Sequence, residues 1–397
     1  MKPFPLLLCI LLAGLVAPVF GKLDGTYMNE AGMTLKTPHA AWDEKGELPH
    51  KKILFIMQQT ASREIIELVQ RFPGFEYEVV LTANEHSIGA DDIYSNPIAG
   101  LSTADKRQEL AAKLAKDYDL VVVANVDFAV LPDEQKFRLM SMVRNGTGLV
   151  RIQSGEPWSE LKKLPYKKPY AKPLPRPEWV AGSNSLPGTR PKNFESRIFN
   201  AWQFGNGRIV EVDYGAGYRP GVGLTPYFNY TTDWFFLYET SQAFLAQVLY
   251  YASGIELPAF SVRQDNGKFA VTPPEKTVAV GRIRQADNSV IRNSLDFTNL
   301  PAGRYTADVL VRRDGALVNF GAFPFTVESA FGAVSVEAPR LVQNRGPFSG
   351  TLKLASPAQN GYSVKVELMD APYRNVWFSK TFPLEAGKKE LSFGLEN

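Results

Sequence analysis

Cysteine is nearly missing from this chain of 397 residues: Cys9 is the only one, and it lies inside the apolar stretch Leu6 to Val19. Histidine is scarce too, with only His39, His50 and His86. No further run is apolar enough for a membrane span. The densest, Trp234 to Tyr251, is interrupted by Glu239, Thr240, Ser241 and Gln242. Charge of one sign is also lacking, since the net charge is +3. With no recognition motif, this balance makes nucleic acid a poor partner. A content of 21% charged and 45% hydrophobic residues excludes disorder, collagen and coiled coil.

The first residues read as a signal peptide. Lys2 precedes the apolar stretch, and Val19-Phe20-Gly21 offers a cleavage site after Gly21. The expected product is secreted or periplasmic. A lipidated cysteine should end the apolar core, whereas Cys9 is followed by more of it, so a lipoprotein anchor is not expected. Cleavage would remove Lys2 and no acid, lowering the charge from +3 to +2. It would also remove the only thiol, and with it any disulfide, thiolate nucleophile or Cys-bound metal. The histidines have no metal spacing: His39 and His50 fall in an extension expected over 22–50, and His86 in a loop. No metal or cofactor is expected.

At roughly 150 residues per domain the chain holds two to three domains. Between 51 and 256 strand and helix signals alternate. Ile53-Leu54-Phe55-Ile56-Met57, Tyr77 to Leu81, Leu120-Val121-Val122-Val123-Ala124 and Leu149-Val150-Arg151-Ile152 are short apolar runs suited to buried parallel strands. Helices are expected between them. One is capped by Ser62 and carries Ile65, Ile66, Leu68 and Val69. One runs from Thr103 to about Lys116. One starts at Asp133, carries Phe137, Met140 and Val143, and stops at Asn145-Gly146. Ile198 to Phe204 and Arg208 to Tyr214 read as a hairpin turning at Asn206-Gly207. A helix from about Thr232 to Ser253 then places Trp234, Tyr238, Leu245 and Leu249 on one face. The implied architecture is a mostly parallel sheet with helices on both faces.

These residues also carry a resemblance. Lys-Lys-Ile-Leu-Phe-Ile from 51, Tyr-Asp-Leu-Val-Val-Val-Ala-Asn at 118–125, Leu-Pro-Asp-Glu-Gln at 131–135, Val-Arg-Asn-Gly-Thr-Gly-Leu-Val at 143–150 and Gly-Asn-Gly-Arg-Ile-Val-Glu-Val-Asp-Tyr at 205–214 are similar to the class I glutamine amidotransferase-like superfamily. Within it they most resemble the degenerate, trehalose-utilisation-like branch of secreted, glycan-related multidomain proteins. The resemblance covers about half the chain and implies a flavodoxin-like α/β domain over 51–256. Active members carry a Gly-x-Cys-x-Gly elbow followed by His and Glu. This sequence has no cysteine there, and its last histidine is His86, so no residue is carried over as nucleophile or base. The expected catalytic set is empty.

Candidate ligand-binding residues are taken from the expected ends of the strands. Asn125 ends the third run, and Ser154 and Glu156 follow the fourth. Ser154 has no Gly-x-Ser-x-Gly context, because Ile152 and Glu156 occupy the flanking positions, and no histidine follows it. Gly215-Ala-Gly217-Tyr-Arg-Pro-Gly221-Val-Gly223 fails the phosphate-loop spacing at Pro220 and reads as a loop that could offer Asp213, Tyr214, Tyr218 and Arg219. Leu161 to Pro177 holds Lys162, Lys163, Lys167, Lys168, Lys172 and Arg176, five prolines and no acid. It is a basic, extended connector that could attract an acidic glycan. Trp158 and Trp179 flank it and could stack on sugar rings. Asp91-Asp92 reads as a loop pair rather than a glycosidase dyad.

After Pro258 the helix signals vanish. Val278 to Ile283, Val290 to Phe297, Tyr305 to Arg312 and Leu317 to Val327 are strand-like, with Tyr305, Ala307, Val309 and Val311 alternating as one buried face requires. Over 260–329 this suggests a β-sandwich, and Leu-Pro-Ala-Gly-Arg-Tyr at 300–305 resembles immunoglobulin-like modules. Ser349 to Leu354, Tyr362 to Met369, Val376 to Phe382 and Glu390 to Phe393 suggest a second, small or incomplete β module over 330–397. The combined expectation is an exported, non-catalytic protein that binds polysaccharide or a partner domain. The alternatives are a hydrolase using strand-end carboxylates and an assembly module.

Overall fold

The computed structural model describes residues 36, 39–40, 42–58, 62–82, 103–128, 131–152, 171–175, 199–212, 223–225, 232–285, 287–328, 334–338, 348–369 and 376–395. The chain forms two compact units. The first comprises Met1–Val262, Val271–Val280 and Val309–Ala322, and the second comprises Arg263–Ala270, Gly281–Asp308 and Phe323–Asn397.

The first unit is built on β1 (Lys51–Gln58), α1 (Arg63–Arg71), β2 (Phe75–Thr82), α2 (Thr103–Lys113), β3 (Leu120–Ala124), α3 (Asp133–Asn145), β4 (Gly148–Ile152), β5 (Ala171–Pro173), β6 (Phe199–Phe204), β7 (Gly207–Val212) and α4 (Thr232–Ala252). The strands form one seven-stranded sheet in the order β2-β1-β3-β4-β7-β6-β5. β2, β1, β3, β4 and β7 run parallel, and β6 and β5 are antiparallel additions. β1 therefore has its sequence neighbour on one side and β3 on the other, which makes the β1/β3 junction the point where the winding reverses.

The unbroken apolar strands reflect burial on both sides. Ile53, Phe55 and Met57 join Ile65 and Leu68 of α1 and Leu245, Val248 and Leu249 of α4. Leu54 and Ile56 point the other way, into a cluster with Leu110 of α2 and Leu139, Met140 and Val143 of α3. Period-two alternation thus assigns one strand to two cores.

Several local expectations change. Ser62 stands at the start of α1, but its side chain makes no capping bond there. Phe137 is 62% exposed, because the buried stripe of α3 runs through Leu139, Met140 and Val143. α4 is buried all round from Glu239 to Ala252 rather than on one face. Of the polar residues that break its apolar run, Glu239 pairs with Arg71 and the Gln242 Nε2 donates to the Tyr238 hydroxyl at 3.0 Å; further along, Gln247 donates to the Phe320 carbonyl at 2.8 Å. The hairpin turns at Gly205-Asn206, one residue earlier than expected. Gly205 supplies the positive φ of +60°, and Gly207, paired with Phe204, has no room for a side chain against the Val143 and Thr147 carbonyls.

The stretch before β1 is more than a polar extension. Ala40, Trp42 and Leu48 lie in the first core, and the Asp43 carboxylate ties down the Glu47 and Leu48 amides. Trp42 stacks at 5.7 Å on Phe72 and at 5.9 Å on Phe320. Residues 309–322, assigned on sequence to the following β-sandwich, cluster with the first unit, and Leu317, Phe320 and Ala322 enter its core.

Beyond α4 the elements are β8 (Ser261–Asp265), β9 (Lys268–Thr272), β10 (Val278–Arg284), β11 (Val290–Arg292), β12 (Gly303–Arg313), β13 (Ala316–Val327), β14 (Val334–Glu337), β15 (Phe348–Leu354), β16 (Ser363–Met369), β17 (Val376–Pro383) and β18 (Glu390–Leu395). They pair as β8-β9, β11-β10-β12-β13, β14-β15-β18 and β16-β17. β8 and β9 escaped the sequence reading although Asn266-Gly267 sits between them with both φ values positive. β12 and β13 meet at Asp314-Gly315 with the same signature, the backbone that tight hairpin turns need.

The second unit holds two small cores. Phe269, Phe297, Tyr305 and Phe325 surround Ile283 and Ala307 in one, and Leu352, Leu354, Ala358 and Leu384 form the other. The alternation expected of Tyr305 to Val311 is only half the account, because Thr306 and Asp308 between them are also buried. Asp308 is fully covered and meets the Arg284 Nε at 2.6 Å and the Arg282 Nε at 2.9 Å. No described helix is long and apolar enough to cross a membrane.

Candidate functional site

In open α/β sheets ligands collect beyond the carboxyl ends of the strands where the winding reverses. In this chain that point lies between β1 and β3, and it carries Gln58 and Asn125. Gln58 is the last residue of β1, and its Nε2 donates to the Asn125 carbonyl at 2.7 Å. Asn125, one residue past β3, donates its backbone N–H to the Ile152 carbonyl at 2.9 Å and so reaches the end of β4. Its φ is +54°, a backbone that asparagine tolerates better than most residues. Its Nδ2 donates to the Gly223 carbonyl at 2.6 Å. The ends of three parallel strands and the segment 223–225 are thereby tied together.

The segment 223–225 grips a carboxyl group from α1. Glu64, in the first turn of that helix, accepts the Leu224 N–H at 2.5 Å and the Thr225 N–H at 3.0 Å on Oε2. Its Oε1 lies 3.0 Å from the Thr225 hydroxyl. Gly223 permits the approach, since a Cβ there would stand 2.6 Å from Oε1. Glu64 keeps some contact with solvent, but protein surrounds it deeply, and burial pushes its carboxyl up to about 7. The bonds from Thr225 and Leu224 oppose that rise, and Glu67 adds to it. Both protonation states fit: ionised, Oε1 accepts from the Thr225 hydroxyl, and protonated it donates to it.

Behind Glu64 lies a buried ionic cluster. Arg71, 1% exposed, forms a two-pronged pair with Glu239 of α4 and meets the Glu67 carboxylate at 2.9 Å. Glu239 also accepts the Ala40 N–H at 3.1 Å, and Arg63 pairs with Glu67 at 2.8 Å. Burial works against the Arg71 charge, and the Glu239 carboxylate more than offsets it, so the guanidinium stays above its ordinary range. Tyr238 stacks beneath Arg71 at 5.5 Å, with its phenol raised by burial and by the Glu64 charge.

Of the sequence-derived candidates, Asn125 stands in this arrangement. Ser154, Glu156, Trp158, Asp213, Tyr214, Tyr218 and Arg219 lie outside the described residues, as do residues 161–170 of the basic connector. Among the described residues no group of three His, Cys, Asp or Glu could hold a metal ion. No protein-family model matches the chain, and no curated protein or solved structure matches it.

Gln58, Glu64 and Thr225 were missed. The sequence does carry a signal for Glu64: an acid in the first helical turn directly after the first strand faces the reversal point in this topology. Nothing local marks Thr225, because its role depends on a partner 161 residues away.

Proposed function

We propose that the chain is an exported, non-catalytic protein that binds glycan, or holds a partner domain, within an extracellular polysaccharide-degrading system. In this reading the first unit is a flavodoxin-like, class I amidotransferase-like domain without its thiol chemistry, and immunoglobulin-like β modules follow it. The observation that carries the reading is Asn125. A buried amide held at positive φ where the sheet's winding reverses joins Gln58, Thr225 and Glu64 in a set of amide, hydroxyl and carboxyl groups suited to a hydroxyl-rich ligand. The only cysteine, Cys9, is far from that point in sequence, and no histidine follows His86, which removes the thiolate and base that glutamine hydrolysis needs.

A glycan array with the purified chain tests the proposal. Binding to at least one polysaccharide, weakened in Asn125→Gly, is expected; Gly keeps the backbone and deletes the amide. Silence across a broad array, or ammonia released from glutamine, overturns it. One observation favours a hydrolase instead: burial brings the Glu64 carboxyl up to about 7, the range in which a general acid or base can exchange a proton. Glycan hydrolysis abolished by Glu64→Gln would establish that alternative.

A further inference from the structure

We infer that the Leu224 and Thr225 amides, with the Thr225 hydroxyl, form an oxyanion seat that Glu64 fills from within the chain, and that the carboxylate of an acidic saccharide, a uronate, takes over. The inference rests on the glycan-binding reading and deepens it by naming the charge of the ligand.

The geometry is that of a built receptor. Three donors converge on one planar carboxyl group, two on one oxygen and one on the other, at 2.5, 3.0 and 3.0 Å. Oriented backbone amides bind anions because their positive ends point at one place, and they cannot be lost by changing a side chain. Gly223 leaves open the space that a side chain would close. The planar occupant fits a carboxylate better than a tetrahedral sulfate. The seat is also adjacent to the sheet's reversal point through Asn125, whose amide holds the Gly223 carbonyl.

The Glu64 carboxyl is raised by its burial and by the Glu67 charge on its own helix, and segment 223–225 brings no cation. Arg63 and Arg71, the nearest bases on α1, are committed to Glu67 and Glu239. Leu224 and Thr225 are themselves buried, so an external carboxylate enters only as Glu64 swings out, and the exchange is easier where Glu64 holds its proton.

The test is calorimetric titration of the full chain with tri-galacturonate, neutral xylotriose and a sulfated galactotriose. Measurements are made at about pH 5.5 and about pH 8. Tri-galacturonate should bind better than the other two, and about tenfold better at the lower pH. Glu64→Ala should raise its affinity at the higher pH about tenfold, and Thr225→Val should lower it by a similar factor, with Thr225→Ser restoring it. Glu64→Gln keeps the shape of the turn and should erase the pH dependence if Ala disturbs folding. Equal binding of xylotriose, unaltered by any of these variants, overturns the seat and leaves glycan binding standing. Preference for the sulfated sugar overturns the carboxylate assignment. No binding of any of the three overturns the seat, and the broad array then decides the reading beneath it.

Discussion

Arg71 in the first unit and Arg284 in the second are each 1% exposed, and the chain neutralises them in opposite ways. Arg71, in the first unit, is one cation shared between two carboxylates, Glu67 and Glu239, which come from its own helix and from α4. In the second unit the proportions invert: Asp308 is one carboxylate shared between two cations, Arg282 and Arg284. The first arrangement sets two acids around one base, and the second sets one acid between two bases. Deleting one acid should therefore matter more in the second unit, because it takes the shared carboxylate from two arginines at once, and leaving buried charge uncompensated is among the costliest defects a fold can carry.

The largest effect is expected from Asp308→Ala, which leaves two guanidinium groups facing each other. It should cost about 3–5 kcal/mol. Hydrogen exchange should show lost protection in residues 281–308 and little change around β1 and β3; uniform, small losses would break the contrast. Glu239→Gln should cost less, about 2 kcal/mol, because Glu67 still holds Arg71 and the amide still accepts a bond. Urea midpoints measure the difference, and a larger loss than for Asp308→Ala would reverse the argument.

Glu64 sharpens the comparison from the acid side, because among the described residues no salt bridge pairs it with a cation. Its carboxyl sits at about 7 in the folded chain against an ordinary 4.5, so the folded chain keeps a proton that the unfolded chain has released. Its stabilising contribution is complete below about pH 4.5 and is lost as the pH rises through about 7. The swing is about 2 kcal/mol after allowance for its partial contact with water. Glu47, Glu78 and Glu109, whose carboxyls are lowered, contribute in the opposite direction, so the quantity to follow is wild type minus Glu64→Gln across that window. A flat difference would refute the burial of Glu64. The smallest effect belongs to Phe137→Ser: an exposed ring on α3 should change stability by less than about 0.5 kcal/mol.

Period and turn chemistry made much of the fold legible. The unbroken runs at 53–57, 120–124 and 149–152 are parallel strands because both their faces are covered, and the alternation after 305 marks a β region. The misreadings have physical causes. Phe137 was assigned by apolarity, but helix phase decides which side it faces. The turn slipped from Asn206-Gly207 to Gly205-Asn206 because three residues in a row could supply a turn, and only packing against the Val143 carbonyl selects which glycine stays in the strand. Thr306 and Asp308 looked like an outward face, yet a charge goes inside when arginines in neighbouring positions meet it. Of the candidate site, Asn125 was readable as a strand-end amide. Glu64, Gln58 and Thr225 meet only once the topology brings together residues far apart in sequence.

The ring of Phe320 lies against Trp42 and Phe72, and this bears on any attempt to dissect the polypeptide. Ending expression after α4, where the alternation of strands and helices stops, would discard a stopper from the first unit and leave an oily hole beside the buried Trp42 indole. The fragment should be sticky in dilute buffer and should regain good behaviour when a peptide spanning 309–322 is supplied in trans.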